Sequence, residues 1–141
     1  MPTRKSSAAW EGGLKGGKGS FKGESGLSGT YSFGSRFENA PQSNPEELLA
    51  AALASCYSMA LSLGLEKNGT PPTRVATDVA CTIDKVGEGF KITKMHLTVR
   101  GKVPNVDAAT FDKLAQATKD GCPVSQVFKG NVPMTLEARL E

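Results

Sequence analysis

One histidine (His96), one tryptophan (Trp10) and three cysteines with no C-x-x-C pair make this a chain poor in the usual metal ligands and bases. Each scarcity removes a class of chemistry. Zinc sites want closely spaced Cys and His pairs, whereas Cys81 and His96 both fall in strand-like segments, so no resident metal is expected. A serine or cysteine nucleophile relying on a histidine base has only His96 to turn to. Alternation places that residue on the wet side of a strand. Three widely spaced cysteines do not make a secreted disulfide framework. Residues 1–20 are dominated by Gly and Lys and lack the apolar core of a secretory signal. The expected location is cytoplasmic, where a redox-active cysteine is more often catalytic or sensing than structural. Net charge is only +3. Acidic residues interrupt the scattered lysines, and no basic stripe with interleaved aromatics forms, so nucleic acid is not an expected partner.

A phosphate loop is also excluded. Gly12-Gly13-Leu14-Lys15-Gly16-Gly17-Lys18 begins like G-x-x-x-x-G-K, but Gly19 stands where a hydroxyl should meet Mg²⁺. No buried strand precedes it and no apolar helix follows.

What is present is a chain of one-domain length, residues 1–141, with 38% apolar and 22% charged residues. Residues 1–35 read as a meander of short polar strands around 7–14, 18–24 and 30–34, punctuated by glycine. The composition then changes. Asn44 can cap a helix, Pro45 suits its first position, and Glu46 and Glu47 favour the positive dipole end. Glu47 also has the spacing of a capping box with Asn44. The helix runs to about Lys67, where Asn68-Gly69 and Pro71-Pro72 stop it. From Leu48 to Leu65, eighteen residues carry no charge. That length approaches a membrane span, but Ser55, Ser58, Ser62, Gly64 and the acidic first turn favour a soluble helix covered on all sides. A chain this small does not enclose such a helix, which predicts an obligate homodimer with the helix at its centre.

Two longer strands follow. Val75, Val79, Cys81 and Ile83 share one face of the first. In the second, Lys91–Val103, Met95, Leu97 and Val99 face one side, with His96, Thr98 and Arg100 on the other. Asp107 caps a helix over Ala108–Lys119, Cys122-Pro123 opens a short helical turn, and 132–140 alternates as a last strand. The order β-β-β-α-β-β-α-β is an α+β arrangement.

The remaining candidates for chemistry are the cysteines. Cys81, between Val79 and Ile83, reads as a small buried hydrophobe. Cys56 could be the same in the middle of its helix. Cys122 precedes Pro123 at a helix start, where unpaired N–H groups favour a thiolate. A thiol peroxidase needs an ionised attacking sulfur, a cation beside it, a carboxylate to hold the cation, and a second thiol to capture the sulfenic acid. Arg36, Glu46, Cys56 and Cys122 could fill these roles, although their spacing alone does not assign them.

Asn44-Pro45-Glu46-Glu47-Leu48-Leu49-Ala50-Ala51-Ala52-Leu53-Ala54-Ser55-Cys56-Tyr57-Ser58-Met59-Ala60-Leu61 resembles the central helix of the osmotically inducible protein C and organic hydroperoxide resistance family. Gly121-Cys122-Pro123-Val124-Ser125-Gln126 resembles its second cysteine motif. Trp10-Glu11-Gly12, Ser35-Arg36-Phe37-Glu38 and Asp84-Lys85-Val86 also fit, and the placement of Arg36 favours the osmotically inducible branch. The resemblance implies an intertwined homodimer with two active sites at the subunit interface. It implies that Cys56 is the peroxidatic cysteine, Cys122 the resolving cysteine, Arg36 the residue that stabilises the thiolate, and Glu46 the carboxylate that positions Arg36. It further implies organic hydroperoxides as substrates, a dithiol reductant such as a dihydrolipoyl group, and no cofactor. Leu53 stands where many members of that branch carry histidine.

Two expectations remain in tension. Local helix position makes Cys122 the more acidic thiol, whereas the family roles assign attack to Cys56. Leu49 and Leu53 are expected to wall the peroxide's alkyl group. The rival readings are a non-enzymatic thiol redox sensor and a structural or ligand-binding dimer.

Overall fold

A computed structural model describes all residues, Met1–Glu141. The chain divides into two compact units, Met1–Leu48 and Leu49–Glu141.

The first unit holds three antiparallel strands, β1 (Ser6–Glu11), β2 (Lys18–Gly23) and β3 (Ser28–Tyr31), in the order β1-β2-β3. Trp10 and Tyr31 meet with ring centroids 5.5 Å apart. Gly19 lies under both rings, and any Cβ there would collide with them. The third strand is shorter than the expected 30–34, because Ser32 starts a helix instead. Ser35 N–H donates to Ser32 Oγ (3.1 Å) and Ser32 N–H to Ser35 Oγ (2.8 Å), a reciprocal cap that launches α1 (Phe33–Phe37). One turn is too short to show helical periodicity in a sequence. The connection onward is stapled: Ser35 Oγ donates to the Ser43 carbonyl (2.6 Å), and Asn44 Nδ2 donates to the Ser35 carbonyl (2.9 Å).

Helix α2 (Pro45–Lys67) has the expected bounds. Glu47 N–H donates to Asn44 Oδ1 at 2.8 Å, the expected cap. The Glu47 carboxylate, however, accepts from Ser43 Oγ (2.8 Å), so the other half of the box is not made. At the far end Gly69 adopts φ 81°, with Gly69 N–H to Glu66 O (2.9 Å) and Thr70 N–H to Leu65 O (3.0 Å). This pair of bonds is the Schellman closure that only a left-handed residue permits.

The second unit is built on β4 (Arg74–Val86), β5 (Gly89–Lys102) and β6 (Met134–Leu140), in the order β4-β5-β6. The hairpin β4–β5 is antiparallel, with an irregularity at Thr82/Ile83. β6 pairs with β5 in parallel. A parallel neighbour requires a crossover, and α3 (Ala108–Gly121) and α4 (Pro123–Phe128) provide it. The element order is therefore the expected α+β series with α1 and α4 as short additions.

The core joins Leu53, Tyr57, Leu61 and Leu65 of α2 to Met95, Leu97 and Val99 of β5 and to Phe111, Ala115, Cys122 and Phe128. The α2 residues recur every fourth position, which places them along one stripe. Gly101 lets the Phe111 ring lie against β5, where a side chain would clash. Cys81 packs partly buried against this core, as expected of a small hydrophobe. His96 stays on the wet face, with Nδ1 2.5 Å from Thr135 Oγ1. Within the single chain α2 is not covered on all sides. Met59 and Leu63 are 78% and 50% exposed, and by length and composition this helix could cross a membrane.

Candidate functional site

The candidate side chains form two groups, one in each unit. In the first, the Ser35–Asn44 staple sets the last turn of α1 beside the first turn of α2. Arg36 and Glu46 project from those turns. Arg36 Nε and Nη2 both reach Glu46 Oε1, at 3.0 and 2.9 Å. A planar guanidinium held at two nitrogens has one orientation, which an ammonium could not share. Glu46 is buried while the Arg36 side chain is 38% exposed, so the carboxylate is the anchor and the guanidinium the reaching end. Glu46 Oε2 is buried and unpartnered. The Phe37 ring centroid lies 5.3 Å from the guanidinium carbon, a cation–π distance.

Arg36 also lines a cavity of about 260 Å³ with Trp10, Leu14, Tyr31, Phe33 and Phe37. A larger hollow of about 570 Å³ lies on one face of the β1-β2-β3 sheet, among Ala8, Ala9, Phe21 and Thr30. Its lining holds hydroxyls and Lys22 but no cysteine, histidine or carboxylate to activate them, so size alone does not make it the reactive site.

In the second unit, Cys56 lies in the middle of α2 and Cys122 links α3 to α4. Both are reduced thiols. Cys122 performs three local tasks. Its N–H donates to the Thr118 carbonyl (3.0 Å), closing α3. Its carbonyl accepts from Gln126 N–H (3.1 Å), and its Sγ accepts from Ser125 N–H (3.3 Å), opening α4. Pro123 occupies the first position of α4, so the next donors fall on Val124 and Ser125. Cys56 packs against the cluster that holds Cys122, and both Cys122 and the Val124 N–H lie near enough to act on its thiol.

The electrostatics of Cys56 are mixed. Burial pushes its thiol above the ordinary value, the Val124 N–H pulls it down, and Cys122 pushes it up through both its hydrogen bond and its charge. The balance is upward, so within this unit Cys56 is a thiol, not a thiolate. Next to it, Tyr57 is fully buried, and its hydroxyl donates to the Ala115 carbonyl at 2.8 Å. Burial raises this phenol strongly, with Cys122 and Asp112 adding to the effect, so it stays protonated.

Sequence reasoning named Arg36, Glu46, Cys56 and Cys122. The structure pairs the first two and the last two. It does not support Leu53 as a wall of an open substrate site, because Leu53 is fully buried in the core stripe; Leu49 is partly buried against that core. The roles of the Val124 N–H and of Tyr57 went unnoticed. The first was readable in principle, since proline after Cys122 leaves Val124 as the next free donor. The second depends on a contact across 58 residues that no local pattern reveals.

The fold and the paired thiols define a class of α+β thiol proteins. The family model described as OsmC-like protein matches residues 38–137. The chain is 47% identical over 140 residues to the peroxiredoxin OsmC of Escherichia coli strain K12, covering 98% of this chain and 96% of that one. It is 32% identical over 95 residues to the organic hydroperoxide resistance protein OhrA of Bacillus subtilis strain 168, covering 67% and 65% of the two chains. In fold it resembles an organic hydroperoxide resistance protein from Elizabethkingia anophelis, with a TM-score of 0.79 at 22% identity, over 100% of this chain and 98% of that chain. This chain belongs to the OsmC-like protein family.

Proposed function

We propose that this protein is a thiol-dependent peroxidase that reduces organic hydroperoxides to alcohols. The observation carrying the reading is the convergence of Cys56 and Cys122, 66 positions apart in sequence, on one core cluster, with Cys122 near enough to act on the Cys56 thiol. The similarity to a peroxiredoxin and to organic hydroperoxide resistance proteins points the same way.

The Cys56 thiolate attacks the distal oxygen of the hydroperoxide. The sulfur becomes a sulfenic acid, and the O–O electron pair leaves with the alkoxide, which takes a proton to become the alcohol. The Cys122 thiolate then attacks the Cys56 sulfenic sulfur, forming the disulfide and expelling hydroxide, which is protonated to water. An external dithiol returns both sulfurs to thiols and becomes a disulfide itself; dihydrolipoyl groups are the class the family resemblance suggests. Because burial and Cys122 disfavour the Cys56 thiolate, the scheme requires a cation beside it. Arg36 supplies it, with Glu46 holding Nε and Nη2 and Nη1 left for peroxide oxygens. The aromatic cavity that Arg36 lines suits an organic tail, since each buried CH₂ contributes about 0.8 kcal/mol.

A homodimer is part of this reading. The open side of α2 bears Met59 and Leu63 without a charge between Leu48 and Leu65, and a second copy covers it better than water does. The single domain 1–141 and the cytoplasmic location belong to the same reading.

The test is steady-state turnover of purified protein with cumene hydroperoxide, hydrogen peroxide and several dithiols. Multiple turnovers, faster with cumene hydroperoxide, are expected. A single stoichiometric oxidation without turnover would favour a redox sensor instead.

A further inference from the structure

Tyr57 is the residue next to the proposed attacking cysteine, and it is turned away from solvent into the core. Its hydroxyl donates to the carbonyl of Ala115, in the middle of α3. Ala115 lies seven residues before Cys122, two helical turns and about 10 Å along the axis on the same side of α3. Phe111, Ala115 and Cys122 are all buried, so this side of α3 faces the core. Cys122 is the last hinge of that helix, bound through its N–H to Thr118. Wherever α3 slides or turns against α2, Cys122 moves with it.

We infer that Tyr57 is a positioning residue for the second half of the catalytic cycle: its hydrogen bond to Ala115 sets α3 against α2 so that Cys122 meets the oxidised Cys56. This rests on the reading of Cys56 and Cys122 as the peroxidatic and resolving pair. The step it governs is attack of the Cys122 thiolate on the sulfenic sulfur, which makes the S–S bond, breaks the S–O bond and releases hydroxide for protonation to water. Attack on the hydroperoxide needs no Cys122 and is not governed. The cost of misplacement is therefore specific. A sulfenic acid left waiting is open to a second hydroperoxide, which transfers oxygen to give sulfinic acid and alcohol. Tyr57 determines which fate wins. Covalent adjacency makes the arrangement direct, since the residue that follows the attacking sulfur in the chain also tethers the helix carrying the capturing one.

The experiment uses the full-length reduced protein. Stopped-flow mixing with cumene hydroperoxide follows thiol oxidation and then disulfide closure, and intact mass after repeated turnover gives the sulfinic fraction. Tyr57→Phe keeps the ring and removes the donor. It is expected to leave the first step within about twofold while slowing closure about tenfold, the worth of one buried hydrogen bond. The sulfinic fraction should rise with it. Replacement of Tyr57 by 4-aminophenylalanine, which restores an N–H donor at the same place, should bring closure back. Thr118→Val, which removes a hydroxyl bonded within α3 to Leu114, should leave the partition as in the wild type.

Unchanged closure in Tyr57→Phe overturns the inference, as does equal slowing of both steps, which marks a general loss of structure. A sulfinic fraction in Thr118→Val raised as far as in Tyr57→Phe does so too. Absence of a Cys56–Cys122 disulfide in the wild type sinks the peroxidase reading itself, a result separable from all of these.

Discussion

The two units of this chain are built on opposite principles. In Leu49–Glu141 a continuous apolar cluster runs from Leu53 to Val132, with most of its members fully buried. In Met1–Leu48 the only buried residues are Gly19, Ser35 and Glu46, none of them a large apolar side chain. Its order comes instead from hydrogen bonds: the ladder of β1-β2-β3, the Ser32–Ser35 box and the Ser35–Asn44 staple. The comparison teaches how labour is divided. The cored unit brings Cys56 and Cys122 together and holds the Cys56 thiol back from ionising. The hydrogen-bonded unit places a guanidinium on a buried carboxylate and offers it outward. A thiol peroxidase needs both, and a unit with so little core of its own is suited to lie against another surface.

The comparison can be broken at its strongest point first. Cys56→Ser should abolish turnover, a loss of more than about a thousandfold expected when the nucleophile is removed. Cys122→Ser should still oxidise once, giving a sulfenic acid at Cys56 that dimedone traps; trapping at the opposite cysteine would exchange their roles. Next comes the reaching group of the other unit. Arg36→Ala should lower the rate of Cys56 oxidation about a hundredfold, the scale of losing one preorganised charge donor. Arg36→Lys should recover only part, since an ammonium cannot use both nitrogens of the fork on Glu46 Oε1. Equal rates for wild type and Arg36→Ala would show that the cored unit activates its own thiol.

A third pressure falls on the open side of α2. Leu63→Glu should shift the protein to monomers in light scattering and lower its melting temperature, because an unpaired carboxylate would replace a leucine in the proposed dimer contact. A monomeric wild type, or an unchanged dimer in this variant, would remove that contact from the account.

The smallest effect concerns pH. The folded-state pKa of Cys56 lies above the ordinary 9.0, chiefly because of burial. Above that value the unfolded chain loses this proton first and the folded protein holds it longer, so stability falls as pH rises. Melting temperatures from pH 9 upward should therefore drop less in Cys56→Ser than in the wild type. Oxidation of the Arg36→Ala variant by hydroperoxide should rise over the same window, as the thiolate forms without its cation.

Much of this was legible in the sequence wherever the signal was local. Asn44-Pro45-Glu46 marks the start of α2 and Gly69 its end, and the structure keeps both bounds. Alternation sorted Met95, Leu97 and Val99 from His96, Thr98 and Arg100. The strand-to-helix change at Ser32 was missed because a one-turn helix offers a single reciprocal cap and no period. The parallel pairing of β6 with β5 depends on a crossover, which no strand pattern specifies. In the site, Arg36 and Glu46 were found through a family likeness, not through their spacing, and the likeness is silent on which oxygen carries the fork. That one chain leaves α2 partly open was expected from the length of its uncharged run against so small a chain, but not that Met59 and Leu63 would be the open residues, since an uncharged helix offers no polar face to orient it.

The account stands on one bond forming between two particular sulfurs among three. Treatment of the reduced protein with one equivalent of cumene hydroperoxide, followed by alkylation and peptide mapping, reads it directly. The predicted product is a Cys56–Cys122 disulfide with Cys81 alkylated as a free thiol. A disulfide containing Cys81, or three alkylated thiols beside unconsumed hydroperoxide, would contradict it.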